Sequence, residues 1–300
     1  MSPSVAIIVV NWNSYADTSQ CLDSLKLLEY RNFATIVVDN GSEDGSGQNL
    51  KRDFSEIIFL KNDKNLGFTG GNNTGIRYAL KNSYEYILLL NNDTIVTELF
   101  LSLLVKSIEN DPLIGAIQPK IMFNQNRNII WNAGGIFNSF LTKTSTIGEN
   151  QIDVGQFDKS SETDWITGCC FLVRSSVIKE IGLLDQRFFI YHEDVDWSFK
   201  IKQKGLIMFY EPSSVIYHET GMSDKNHGTH SEGNVSPFSH YMGVKNHLFL
   251  VRRYAKGIDL IGSWMYQFVK LSGYLVYFVL RGRFKKFNFV LKGIRDGLTK

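Results

Sequence analysis

Tyr86-Ile87-Leu88-Leu89-Leu90 is an unbroken apolar run that stops abruptly at Asn91-Asn92-Asp93. The run is too short for a stable helix and has no polar face, the pattern of a central parallel strand buried on both sides. A chain built around such a strand must cover both faces of its sheet, so an α/β architecture is expected. The polar tip falls at the carboxyl end of the strand, where open α/β sheets place their ligands. A carboxylate at that place suits a divalent cation, and the cation suits a diphosphate. Asn and Asp also form ordinary turns, so the tip gains weight only from other stretches that meet it.

The upstream chain repeats the design. Residues 5–10 form a first strand that breaks into Asn11-Trp12-Asn13-Ser14. Asp17 or Thr18 is placed to cap a helix reaching about Tyr30, with Leu22, Leu25, Leu27 and Leu28 supplying apolar positions. Residues 34–38 form a second strand ending in Asp39-Asn40-Gly41-Ser42, and 57–60 a third. This spacing is that of parallel βαβ units. The Asp39 carboxylate suits a base imide or ribose hydroxyl, and equally a turn or helix cap. Residues 65–75, NLGFTGGNNTG, read as a Gly-rich loop ahead of a helix to about Asn82. Its glycines would let backbone approach a ligand, and the helix N-terminus favours an anion. The spacing of Gly67, Gly70, Gly71 and Gly75 is not the dinucleotide fingerprint, and no Lys-Ser/Thr follows as in a Walker loop.

Downstream, residues 98–110 read as a helix stopped at Asp111-Pro112, and 115–123 as a strand. Residues 124–160 read as a hairpin-like insert with loops, 164–174 as a strand entered through Gly168, and Ser175 as the cap of a helix to Ile181. Then comes Phe188-Phe189-Ile190-Tyr191-His192-Glu193-Asp194-Val195-Asp196-Trp197. Acids at a helix start near His192 are favoured by the helix dipole, which is an ordinary reason for them to be there. The aromatic run before them also suits a carboxylate held partly buried as a base. The helix continues to about Lys204 and ends at Gly205. Residues 206–210 form a strand, Glu211-Pro212 a turn and 215–217 a short strand, after which comes His218. A lone histidine is usually structural, and this one also stands at a strand end that suits a metal ligand. Residues 221–237, with His227 and His230, read as a flexible polar loop able to order over a nucleotide.

Residues 239–254 read as a helix carrying Lys245, Arg252 and Arg253. Residues 258–280 are long enough to cross a bilayer. Asp259, Ser263, Gln267, Lys270, Tyr274, Tyr277 and Arg281 nevertheless form one polar stripe, which predicts a helix lying in a membrane interface or packed on the domain. Residues 281–287 alternate basic and aromatic side chains, a cluster worth about 1 kcal/mol per basic residue near anionic headgroups.

Composition narrows the partners. A net charge of +2 offers no whole-chain attraction for nucleic acid. The three cysteines, two of them adjacent, do not make a disulfide framework, so a reducing compartment is expected. No secretory leader is read at residues 5–10.

Five stretches together resemble family-2 glycosyltransferases of the GT-A fold: Val9-Val10-Asn11-Trp12-Asn13, Val37-Val38-Asp39-Asn40-Gly41-Ser42, Asn65-Leu66-Gly67-Phe68-Thr69-Gly70-Gly71-Asn72-Asn73, Leu89-Leu90-Asn91-Asn92-Asp93 and His192-Glu193-Asp194-Val195-Asp196-Trp197. The third is similar to the rhamnosyltransferase-like branch, whose members often use dTDP-rhamnose. The resemblance implies a Rossmann-like GT-A domain over 1–221, with a nucleotide-binding half at 1–93 and an acceptor half at 94–221. A flexible loop at 222–238 and a membrane-associating helical extension at 239–300 follow. It implies donor contacts from Asn11, Asp39, Asn40, Asn65, Gly67, Phe68, Gly70, Gly71, Asn72, Asn91 and Asn92, and acceptor-side positions at Trp165, Gly168 and Cys169. Asp93 and His218 would hold Mg²⁺ or Mn²⁺, with Asn91 standing where the family has its first acid. Asp194 matches the catalytic base, with Glu193 beside it. The implied activity is inverting transfer from a nucleotide-diphospho-sugar to a glycan or lipid-linked glycan. The implied setting is the anionic cytoplasmic face of a membrane. A nucleotidyltransferase-like enzyme would want a basic residue in its phosphate loop, and residues 65–75 contain none. A non-catalytic glycan binder would leave the acids of the tip and of Glu193-Asp194 unexplained.

Overall fold

The computed structural model describes residues 2–219, 232 and 235–299. The first part alternates strand and helix: β1 (Val5–Asn11), α1 (Tyr15–Lys26), β2 (Phe33–Asp39), α2 (Ser46–Asp53), β3 (Ile58–Lys61), α3 (Gly67–Lys81) and β4 (Tyr86–Leu90). There follow β5 (Thr94–Val96), α4 (Phe100–Asn110), β6 (Ile114–Phe123), β7 (Ile130–Asn132), β8 (Gly135–Asn138), β9 (Lys143–Thr146) and β10 (Ser161–Thr163). The remainder is β11 (Cys170–Arg174), α5 (Ser175–Ile181), α6 (Glu193–Lys202), β12 (Ile207–His218), α7 (Pro237–Tyr254), α8 (Ile258–Leu280) and α9 (Phe284–Thr299).

The main sheet runs β10-β12-β6-β11-β4-β1-β2-β3, with β5 added on β12 and β7 on β6. β4 lies between β1, which is parallel to it, and β11, which is antiparallel. All five of its residues are buried, as the apolar run requires. The pleat divides them: Tyr86, Leu88 and Leu90 join Ile7 and Val9 in one core, while Ile87 and Leu89 join Ala6 and Ile8 in the other. The antiparallel β11 makes the sheet mixed rather than wholly parallel.

Several sequence expectations are corrected. The first helix begins at Tyr15 with Ser14 at its N-cap, a turn ahead of Thr18, and Arg174 rather than Ser175 precedes α5. Residues 67–75 are not a loop but the first turns of α3. Their glycines serve packing: a Cβ on Gly71 would lie 2.8 Å from Val10 Cγ1, and one on Gly75 2.6 Å from Ile8 Cγ2. Only glycine lets α3 approach β1 this closely. Residues 164–169 lie outside β11, which starts at Cys170. Glu211-Pro212 does not end a strand. Instead β12 continues from Ile207 to His218 through an irregularity between Glu211 and Val215. There the Glu211 carboxylate accepts from the Ser213 N–H at 3.1 Å and from Ser107 Oγ at 2.7 Å.

A second compact unit gathers residues 137–145, 190–192 and the C-terminal helices. Val244, Leu248, Leu271, Phe278 and Val290 form its core. The Glu232 carboxylate accepts from the Lys285 and Lys286 N–H groups at the start of α9, and Lys286 is itself buried. The polar stripe of α8 faces inward: Ser263 is 0% and Gln267 1% exposed, whereas Phe268 is 74% and Leu280 79% exposed. No helix among the described residues is long and apolar enough to cross a membrane. The loop expected around His227 and His230 lies outside the described residues.

Candidate active site

Strand register gathers the polar tips. Asn11 pairs with Asp39 across β1 and β2, and Val9 pairs with Leu90, so Asn91 emerges just beyond the edge. Asn11 Nδ2 donates to Asp39 Oδ1 (3.3 Å), Ser42 Oγ (3.1 Å) and Ser46 Oγ (3.0 Å). Thr18 Oγ1 donates to Asn11 Oδ1 and accepts from Asn92 Nδ2, both at 2.9 Å. One relay thus joins the ends of three strands. Its middle member, Thr18, had been read from the sequence only as a possible cap. Asp39 is buried, and a Cβ on Gly47 would lie 2.4 Å from its Oδ2, so the first turn of α2 closes over that carboxylate. Trp12, 51% exposed, projects from the same edge. The signal for it was a lone aromatic in a polar strand-end loop.

The stretch ahead of α3 is held by Asn40. Its Nδ2 donates to Asn65 Oδ1 (3.1 Å) and Gly67 O (3.0 Å), and its Oδ1 accepts from Leu66 N (3.2 Å) and Asn62 Nδ2 (3.0 Å). Asn40 and Asn65 therefore satisfy one another and shape the approach to the helix. Gly67 takes φ +72° there, a conformation glycine adopts without strain. In the first turn, the Gly67 N–H goes to Asn65 Oδ1 and the Thr69 N–H to Phe189 O. Asn72 Nδ2 returns to Phe68 O at 2.9 Å. Gly70 and Gly71 are buried, and Phe68 is partly exposed.

Asp93 and His218 are brought together by β5 and β12, which pair Thr94 with His218. His218 Nε2 lies 3.2 Å from Asp93 Oδ1 and 3.3 Å from Asn91 Nδ2. Asp93 Oδ1 is buried and receives no hydrogen bond. An unsatisfied carboxylate oxygen beside an imidazole nitrogen is a donor pair that fits a divalent cation. No group of three or more His, Cys, Asp or Glu suited to a metal occurs among the described residues. Asn91 supplies an amide where a third acid would stand. The pair offers two donors that a divalent cation would take, and the remaining ligands would have to come from elsewhere.

Glu193 and Asp194 open α6, as the acidic run predicts. Asp194 is partly exposed. Its Oδ2 accepts the Gly168 N–H at 2.9 Å, and its Oδ1 accepts the Val195 N–H at 2.8 Å. Burial raises its pKa, and these N–H bonds oppose the rise. Glu193 is 4% exposed and its Oε2 has no partner. Burial, with the neighbouring Asp194 charge, holds its carboxyl well above the usual range. Of the two, Asp194 is the carboxylate open to an incoming group. The turn before them carries positive φ at Phe189 (62°), Tyr191 (72°) and His192 (71°), strain of a kind that collects at functional sites.

On the expected acceptor side, Gly168 supplies the N–H to Asp194. Cys169 is buried, and its carbonyl accepts the Asn91 N–H at 2.9 Å, which ties this segment to the tip of β4. Trp165 is also buried, its indole N–H donating to Ile136 O at 3.3 Å. The three cysteines are buried and unpaired with one another.

Comparison with known proteins bears on the family and the fold. The model of the family described as Glycosyl transferase family 2 matches residues 6–182. An N-acetylglucosaminyl-diphospho-decaprenol L-rhamnosyltransferase of Mycobacterium tuberculosis is 23% identical over 85% of this chain and 86% of that protein. The low-salt glycan biosynthesis hexosyltransferase Agl10 of Haloferax volcanii is 26% identical over 69% of this chain, and the match spans 64% of that protein's length. Among solved structures, GalNAc-T7 with UDP, GalNAc and Mn²⁺ superposes with a TM-score of 0.65 at 16% identity, covering 83% of this chain and 48% of that one. The mannosyltransferase PcManGT of Pyrobaculum calidifontis, with GDP-Man and Mn²⁺, gives 0.60 at 14% identity, covering 100% and 88%. The fold is that of GT-A glycosyltransferases.

Proposed function

The chain belongs to glycosyl transferase family 2, and we propose that it is an inverting glycosyltransferase acting from a nucleotide-diphospho-sugar, with dTDP-rhamnose the favoured donor. The observation that carries this reading is the Asp93–His218 pair, 3.2 Å apart at the strand ends, with Cys169 and Gly168 linking that tip to the Asp194 carboxylate. The rhamnosyltransferase relative supports the donor, and the lipid-linked substrate in its name supports a lipid-linked glycan acceptor.

Asn11 and Asp39 form the base and ribose end of the donor site, with Trp12 beside them. Phe68 and the first turn of α3 lie along the sugar-nucleotide. Asp93 and His218 would hold Mg²⁺ or Mn²⁺, which when bound supplies Lewis-acid neutralisation of the leaving diphosphate. Asp194, oriented by the Gly168 and Val195 N–H groups, accepts the acceptor hydroxyl proton. The acceptor oxygen forms its bond to the anomeric carbon as the bond to the diphosphate oxygen breaks, and that oxygen keeps the electron pair. A single displacement inverts the carbon.

The outward apolar face of α8 supports a seat on a membrane surface, with the basic residues Arg281 and Lys285 exposed next to it. We assign the chain to the cytoplasmic leaflet on that basis. The test is ligand-detected NMR of the purified chain against UDP, dTDP, GDP and CMP, with and without Mg²⁺. Metal-enhanced dTDP selectivity supports the rhamnosyl donor, and UDP selectivity moves the donor to another sugar. Binding of none of the four overturns the reading.

A further inference from the structure

One cluster in the C-terminal unit is not used by the chemistry above. His247 Nε2 lies 2.6 Å from Thr142 O, which fixes that nitrogen as the protonated one. His247 Nδ1 is then an acceptor, and Lys270 Nζ reaches it at 2.9 Å. The ammonium has two further protons. The His192 ring stands 5.5 Å from the His247 ring, and its Nδ1 is buried without a hydrogen-bond partner. Gln267, one turn before Lys270 on the same face of α8, has a buried Nε2 that also lacks a partner. Lys143, on the neighbouring hairpin, acts on Lys270 as a like charge.

The inventory is one-sided. His247 Nδ1, the acceptor on that ring, is already taken up by Lys270, and no carboxylate pairs with Lys270, His192 or His247 among the described residues. The groups oppose one another: burial and then Lys143 bring Lys270 down to about 8, and burial and then Lys270 bring His192 down to about 4. Lys270 keeps two protons beyond the one given to His247, Gln267 Nε2 is a buried donor without an acceptor, and an anion would answer both. Lys270 and His192 are partly exposed, so an anion can reach them. The cluster sits on the inward stripe of the helix whose other face is apolar and exposed.

We infer that Lys270, His192 and Gln267 form a phosphoryl-binding site, suited to the phosphate or diphosphate that joins a lipid-linked acceptor to its chain. This deepens the acceptor proposed above and rests on it. Lipid-borne and free phosphate share the chemistry, and the test separates them. The full chain and Lys270→Met are floated with phosphatidylcholine vesicles, plain or carrying a polyprenyl monophosphate. Separately, the histidine side-chain NMR signals are followed during titration with inorganic diphosphate.

Wild type is expected to gain about tenfold or more in partitioning from the lipid phosphate, and Lys270→Met to fall back to the plain-vesicle level. Should Lys270→Met not fold, Gln267→Leu carries the same test with a smaller loss. Diphosphate shifts of His192 without any lipid increment would keep the site and make its ligand the free anion. An undiminished increment in the variants, or no response to either phosphate, overturns the inference. Nucleotide binding measured in parallel separates this from failure of the glycosyltransferase reading, because the nucleotide titration contains no acceptor.

Discussion

The main-chain N–H of Gly168 donates to Asp194 Oδ2 at 2.9 Å. This bond does two things to the carboxylate. It opposes the rise in pKa that burial imposes, and it fixes which lone pairs remain for a substrate. Asp194→Asn removes the proposed proton acceptor at nearly the same size. Turnover is expected to fall about 10²–10⁴-fold, with nucleotide affinity unchanged. Wild-type turnover in that variant would place the base elsewhere.

Glu193 gives a stability signature with a defined sign. Its folded pKa is raised, so its contribution is fully present below the ordinary glutamate value of 4.5 and is lost as pH rises through the folded value. Glu193→Gln removes that loss. The variant is expected to match wild type in acid and to exceed it in urea midpoint at neutral and alkaline pH. A wild-type-to-variant difference that does not change with pH would rule out a buried, neutral Glu193.

The Asp93–His218 half-site predicts that metal affinity depends on nucleotide. Mn²⁺ should bind weakly to the chain alone and more tightly with a nucleoside diphosphate present. Asn91→Asp should strengthen binding to the chain alone. His218→Ala should weaken nucleotide-assisted binding by at least the tenfold that even outer groups contribute. Electron spin resonance of free Mn²⁺ reads all three, and equal affinities across the set would exclude this pair as the metal site.

The apolar face of α8 predicts partitioning onto phosphatidylglycerol vesicles. Phe268 and Met265 are both exposed, and each apolar side chain moved out of water contributes about 1.5–3 kcal/mol. The double change Phe268→Ser with Met265→Ser should lower partitioning by more than tenfold. Circular dichroism checks that the helix persists. Undiminished partitioning would remove α8 from the contact.

Much of the catalytic half was legible because local pattern and tertiary position agree there. The YILLL run could be buried on both sides only in the middle of a sheet, and its tip had to emerge at the carboxyl edge. The acidic start of α6 was equally direct. The glycines of α3 read as a loop rather than a helix because close packing on Val10 and Ile8 leaves no trace in one dimension. The course of β12 through Glu211-Pro212 brings in Ser107 and Ser160, residues distant in sequence that donate to the Glu211 carboxylate. The polar stripe of α8 was visible, but its direction was not. Only the partners Thr142 and His247 show that Ser263 and Lys270 point inward.

The pairing of Asp93 with His218 also bears on when the protein becomes competent. β12 is the last strand of the sheet to leave a ribosome, and the imidazole is its final residue. Until it docks beside β5 and β6, Asp93 lacks its imidazole neighbour. Where Asp93 and His218 hold the metal as proposed, donor turnover is expected to begin only once synthesis has passed the whole sheet, and a product that terminates before Ile207 is expected to be inert toward the sugar nucleotide, however well its first hundred residues fold.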